Sequence, residues 1–114
     1  MGAETKYSIV PPEYLRHGAV SSVIFICDQL VQIEEGLLNN SKYSISESID
    51  SINKALKLEL IELTNKIKEF HEYEELYLDL VDICSLKLIT IDEAECQRNF
   101  DILEDFISKY AEDL

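Results

Sequence analysis

The chain has 114 residues, of which 46% are hydrophobic and 29% charged, a composition typical of one globular domain rather than a disordered segment. Its formal net charge is −13, and residues 69–114 carry fourteen acidic side chains against three basic ones, so direct binding to nucleic acid or an anionic membrane is not expected. Only three glycines and two prolines interrupt the chain. We therefore predict one all-α domain over residues 1–114.

Residues 1–10 are predicted to be an extended arm, and helix 1 to begin near Pro12 or Glu13 because proline suits the first turn of a helix. Helix 1 should run to about Leu38, with an apolar stripe at Val20, Val23, Cys27, Leu30, Ile33 and Leu37. The segment 20–27 is rich in β-branched residues, so a strand is the alternative there. The stripe continues beyond this segment and favours the helix.

Helix 2 should begin at Ser44, because Ser44 followed by Glu47 is a capping-box pattern after a polar loop. Its apolar stripe consists of Ile49, Ile52, Leu56, Leu60, Leu63, Ile67 and Phe70. Leu58 and Ile61 lie off this stripe on a second apolar facet. A helix with two apolar facets is either central in its bundle or in contact with another subunit.

A break near residue 71 is predicted to separate helix 2 from helix 3. Lys66 and Lys68 would complement a helix C-terminus, and the acidic residues after His71 would complement the next N-terminus. The alternative is one long helix over about residues 45–89, which would give three helices in all and would require a dimer to cover it.

Helices 3 and 4 complete the predicted fold. The stripe of helix 3 is Tyr73, Leu76, Tyr77, Leu80, Cys84 and Leu88; that of helix 4 is Cys96, Phe100, Leu103, Ile107, Tyr110 and Leu114. Thr90 with Glu93 forms a second capping box that would open helix 4. A strand at residues 86–91 would have no partner strand. Four helices with short connections predict an antiparallel four-helix bundle.

The residue pattern gives no support to catalytic or metal chemistry. Neither His17 nor His71 belongs to an E-x-x-H or H-E-x-x-H motif, and no phosphate-binding loop or nucleophile elbow is present. Cys27, Cys84 and Cys96 lie in apolar stripes and form no C-x-x-C pair, so we expect reduced thiols in a cytoplasmic protein. The stretch MGAETKYSIV does not resemble a secretory signal. We expect a non-enzymatic protein without metal or cofactor.

The most unusual feature is an acidic stripe on predicted helix 3. Glu72, Glu75, Asp79 and Asp82 are spaced by three, four and three residues, which confines them to an arc of about 80°. Like charges at these spacings destabilise a helix. The stripe is therefore either a solvated face that maintains solubility or a surface for a basic partner. Tyr73 and Tyr77 adjoin it, as partner anchors or as core residues whose hydroxyls reach solvent.

Two functional hypotheses follow. In the first, an acidic surface of helices 3 and 4 masks a basic protein partner, such as a nuclease or nucleic-acid-binding protein, in the manner of an immunity protein or a phage-type inhibitor. Its predicted contact residues are Glu72, Tyr73, Glu75, Tyr77, Asp79, Asp82, Asp101, Glu104 and Asp105. In the second, the chain is a structural or adaptor subunit, for example a homodimer, that associates through Leu58, Ile61, Ile102 and Phe106.

Overall fold

The computed structural model describes residues 12–90 and 92–111, except for the side chains of Pro12, Ser44 and Lys57. The α-helices are Pro12–Leu38 (α1), Lys42–Lys54 (α2), Ile61–Ile67 (α3), Glu74–Cys84 (α4) and Glu93–Tyr110 (α5). A π-helix at Ala55–Leu60 joins α2 to α3, and a 3₁₀ turn at His71–Tyr73 precedes α4. Residues 42–67, from the start of α2 to the end of α3, form one continuous helical segment, which we call the second rod.

The all-α class with four helices is confirmed. Predicted helices 1 to 4 correspond to α1, the second rod, α4 with its 3₁₀ turn, and α5. The strand alternative at residues 20–27 is wrong because these residues lie inside α1, and residues 86–90 contain no strand. The predicted arm at residues 1–10 lies outside the described residues, as does Leu114.

The predicted break between helices 2 and 3 is also confirmed, and the single helix over residues 45–89 is wrong. The second rod ends at Ile67, and Phe70 adopts an extended backbone with φ −110° and ψ 104°. The helix resumes only after this residue, so the chain turns back and α4 packs against α3 within one subunit. Leu58 and Ile61 of the second apolar facet nevertheless remain 66% and 41% exposed.

The helix starts differ from the two predicted capping boxes. The second rod begins at Lys42, so Ser44 lies inside it, and the Ser41 carbonyl already accepts a hydrogen bond from the Ile45 amide at 3.2 Å. The N-cap of α5 is Asp92, whose Oδ1 accepts from the amides of Ala94 (3.0 Å) and Glu95 (3.3 Å). Thr90 instead accepts from the Asp92 amide at 3.1 Å.

The way the helices pack against one another determines which of their surfaces remain exposed. α1 packs against the second rod and α5, whereas α4 packs against α3 and α5. Close contacts between Ser22 and Glu59 and between Gly36 and Ile45 show that α1 and the second rod run in opposite directions. The α1–second rod side and the α4–α5 side therefore lie on opposite sides of the molecule.

Each of the helices α1 to α5 contributes to one hydrophobic core. The buried apolar residues are Leu15, Ala19, Val20, Val23, Ile26, Leu30, Ile52, Ala55, Leu60, Ile67, Leu76, Leu80, Ile83, Leu88, Leu103 and Phe106. The largest share comes from α1, as its wide apolar face predicts. Leu37, predicted for that face, is exposed near the turn into α2. Within the described residues, no helix has the length and apolar character needed to cross a bilayer.

Candidate partner-binding surface

A shallow groove between α4 and α5 carries acidic residues from both helices. It has a volume of about 230 Å³ and is lined by Asp79, Asp82, Ile83, Ile102, Asp105, Phe106 and Lys109. Ile83 and Phe106 are buried and form its floor, while Asp82 and Asp105 are exposed at its edges. We call this feature the acidic groove. It can offer a partner negative charge at its edges and an apolar contact at Ile102, which is 39% exposed.

A lysine from α5 lies against the acidic stripe of α4. Lys109 Nζ is 2.9 Å from Glu75 Oε2 and 2.9 Å from Asp79 Oδ2, and the Tyr110 hydroxyl donates to Asp79 Oδ2 at 2.5 Å. We call this network the Lys109 clamp. It joins the C-terminal turn of α5 to α4 and partly neutralises two of the four predicted stripe residues.

The clamp shifts the pKa values of its members. Hydrogen bonds to Glu75 and Asp79 raise the pKa of Lys109, so it remains a cation. Burial pushes the pKa of Asp79 upward, but the hydrogen bonds from Tyr110 and Lys109 outweigh it and hold this pKa below its ordinary value. Burial and the hydrogen bond to Asp79 raise the pKa of Tyr110. At neutral pH Asp79 is therefore a carboxylate, Lys109 an ammonium and Tyr110 a neutral phenol.

The other predicted acidic residues do not all converge on the groove. Asp82 and Asp105 form no ion pair with any described residue, so their charge is available to a partner. Glu72 is exposed, and Asp101 is exposed while accepting a hydrogen bond from Gln97 Nε2 at 3.0 Å. Glu104 is also exposed, close enough to Cys27 of α1 for its charge to raise the pKa of that thiol.

The tyrosines near the acidic groove have two different roles. Tyr73 and Tyr77 are half-buried and pack against the hydrophobic core, which agrees with the core interpretation of these rings. Tyr110, which the pattern assigned only to the helix 4 stripe, is the tyrosine whose hydroxyl contacts an acidic stripe residue. No sequence signal relates it to Asp79, because 31 positions separate the two residues.

The four residues predicted for self-association do not form one patch. Leu58 lines a furrow between α1 and the second rod, Ile61 lines a depression that faces α4, and Ile102 lines the acidic groove. The assignment of Phe106 to a surface facet is wrong. Its ring is only 4% exposed and packs against the Tyr110 ring, with 4.7 Å between centroids.

The cysteines are three free, half-buried thiols. Burial, followed by the charges of Glu104 and Asp28, raises the pKa of Cys27 to about 11. Burial also raises the pKa of Cys84, although a hydrogen bond with Thr64 opposes the shift. Among the described residues, no group of three or more histidine, cysteine, aspartate or glutamate side chains is placed to hold a metal ion.

Comparison of the chain with protein-family models, curated proteins and solved structures found no match. The function is therefore inferred from the geometry and charge of the molecule itself.

Proposed function

We propose that this chain is a non-enzymatic acidic binding protein that masks a basic surface of a protein partner. The observation that carries the proposal is the acidic groove, where Asp79, Asp82 and Asp105 lie beside the exposed side chain of Ile102. Carboxylates orient and accelerate the approach of a basic partner, and desolvated apolar contact gives the complex its lifetime.

The excess charge of residues 69–114 supports the same function at longer range. Fourteen acidic and three basic side chains create a field that attracts cationic surfaces before contact. A partner that normally binds nucleic acid presents lysine and arginine side chains to phosphates. The carboxylates would occupy the positions of those phosphates and block the site.

We place the protein among inhibitors of the immunity type, such as a toxin immunity protein or a phage-type inhibitor of a nucleic-acid-handling protein. Three free thiols fit a reducing cytoplasm as the place of action. Asp82 and Asp105 are the residues to which we assign the largest share of binding, because the Lys109 clamp already satisfies part of the charge of Glu75 and Asp79.

The test compares two charge-reversed variants of the same net charge. The groove variant is Asp82→Lys with Asp105→Lys, and the control is Glu34→Lys with Asp50→Lys, which changes exposed residues of α1 and α2. Each protein is immobilised and used to capture proteins from host lysate at low salt, followed by elution with increasing salt. The captured partner is then purified and its affinity for each variant is measured.

We expect the wild type and the control to retain a basic protein that leaves at about 0.3–0.5 M salt, where the Debye length falls to roughly 5 Å. The groove variant should bind this protein at least about 100-fold more weakly, because like charges then face each other across the contact. Equal weakening in both variants would show that net charge alone drives capture and would contradict the assignment of binding to the acidic groove. Retention of no basic protein by the wild type would contradict the proposed function.

A further inference from the structure

Exposed apolar residues and excess charge lie in different parts of the molecule. Thirteen large apolar side chains are exposed in the described residues, and nine of them lie in α1 and the second rod. Residues 1–68 carry nine acidic and seven basic side chains, a net charge of only −2. The side of the molecule opposite the acidic groove is therefore nearly neutral and comparatively apolar.

A furrow with a volume of about 550 Å³ lies on this nearly neutral side, between α1 and the second rod. Gly18 and Ser21 keep it open because their side chains are small. A Cβ atom at Gly18 would lie 3.3 Å from Leu63 Cδ1, so a larger residue there would crowd this wall. Leu58 is 66% exposed and Phe25 42% exposed, and both line the furrow.

We infer that this furrow binds a second copy of the chain in a two-fold dimer, with Leu58 of each copy inserted into the furrow of the other. A two-fold contact requires one surface that complements itself. Here a protruding leucine and a concave site beside Gly18 and Ser21 share one face. Insertion would bury apolar surface that the isolated chain leaves in water.

The charge distribution favours this face over any other for self-association. Glu59, Glu62 and Lys66 line the furrow, and Glu62 pairs with Lys66 within the chain at 3.4 Å. Each copy therefore brings two acidic side chains and one basic side chain to the contact, and ion pairs can be exchanged across the two-fold axis. A dimer through α4 and α5 would bring two strongly acidic surfaces together. Pairing through the furrow directs the acidic grooves outward, where each remains free to bind a basic partner.

The inference goes beyond the proposed function and is tested with purified protein alone. Sedimentation equilibrium at physiological salt, from micromolar to near-millimolar concentration, should give a mass twice that of the 13.1 kDa chain. Leu58→Asp should raise the dimer dissociation constant at least about 100-fold, because each two-fold contact contains the substitution twice. Ser21→Gln should also weaken the dimer by filling the furrow without adding charge.

The matched control is Ile61→Asp, which adds the same charge to the same rod at a residue that is 41% exposed and faces α4 instead. It should leave the dissociation constant within about threefold of wild type. Far-UV circular dichroism verifies that every variant is helical. Added salt should not dissociate the dimer, whereas it weakens binding through the acidic groove.

A wild-type chain that remains monomeric at all concentrations overturns the inference while leaving the proposed function intact. Equal weakening by Ile61→Asp and Leu58→Asp would also overturn it, since the contact would not be the furrow. A monomer whose Leu58 is instead required to bind a different protein would assign the furrow to that protein and exclude the second copy.

Discussion

Replacement of Phe106 by alanine should destabilise the folded chain itself. The ring is only 4% exposed and packs against Tyr110. Burial of a phenylalanine side chain contributes about 1.5–3 kcal/mol, and the cavity left behind brings the total cost of Phe106→Ala to about 3–5 kcal/mol. A domain of this length has an unfolding free energy of about 6–17 kcal/mol, so the loss is a large fraction of the total.

Urea unfolding followed by far-UV circular dichroism measures this loss directly. The control is Ile102→Ala, a neighbour on α5 that is 39% exposed, for which we expect a change below about 1 kcal/mol. If Phe106→Ala costs less than about 1 kcal/mol and instead dissociates a self-associated species, Phe106 is a surface contact after all. That result would refute the placement of this ring in the hydrophobic core.

Two further predictions concern the α5 cap and the half-buried thiol of Cys27. Asp92→Ala should lower the unfolding free energy by about 1 kcal/mol, because the amides of Ala94 and Glu95 lose their acceptor; a larger loss for Thr90→Ala in the same urea assay would favour the capping box at Thr90 instead. In a Cys84→Ala, Cys96→Ala variant, Cys27 should react slowly with a disulfide reagent at pH 8, since about a thousandth of a thiol with a pKa of about 11 is ionised there. The folded pKa of Cys27 exceeds the ordinary value of 9.0, so the contribution of this thiol to stability is complete below pH 9 and is lost between pH 9 and about 11. Rapid labelling of Cys27 at pH 8 would contradict this prediction. A loss of unfolding free energy between pH 9 and about 11 that is just as large in a Cys27→Ala variant would contradict it as well.

Local chemistry made much of the fold predictable. The apolar spacing of α1 and α5, the proline at the start of α1 and the charges on either side of Phe70 each act within one or two helical turns. The start of α5 was predicted less accurately, because Thr90 and Asp92 are both good N-cap residues. The conformation of the preceding loop decides which side-chain oxygen accepts hydrogen bonds from the first amides of the helix.

The candidate site depended on contacts between residues far apart in the chain. Lys109 is 34 and 30 positions from Glu75 and Asp79, a separation at which helical periodicity carries no information. The acidic stripe was visible as a pattern in α4, but its partial neutralisation required the placement of α5 beside it. The assignment of Phe106 to a surface failed for the same reason, because the side of α5 that is covered depends on its neighbouring helices.

The sequence by itself determined that this chain is helical, that a break falls near residue 70 and which of its segments are acidic, since periodicity and charge act between near neighbours. Tertiary structure alone decided that Lys109 lies against the α4 stripe, that Asp82 and Asp105 border one groove, and that Leu58 and Ile61 line different depressions. These facts depend on how helices pack across the core, and one-dimensional spacing does not specify which faces meet.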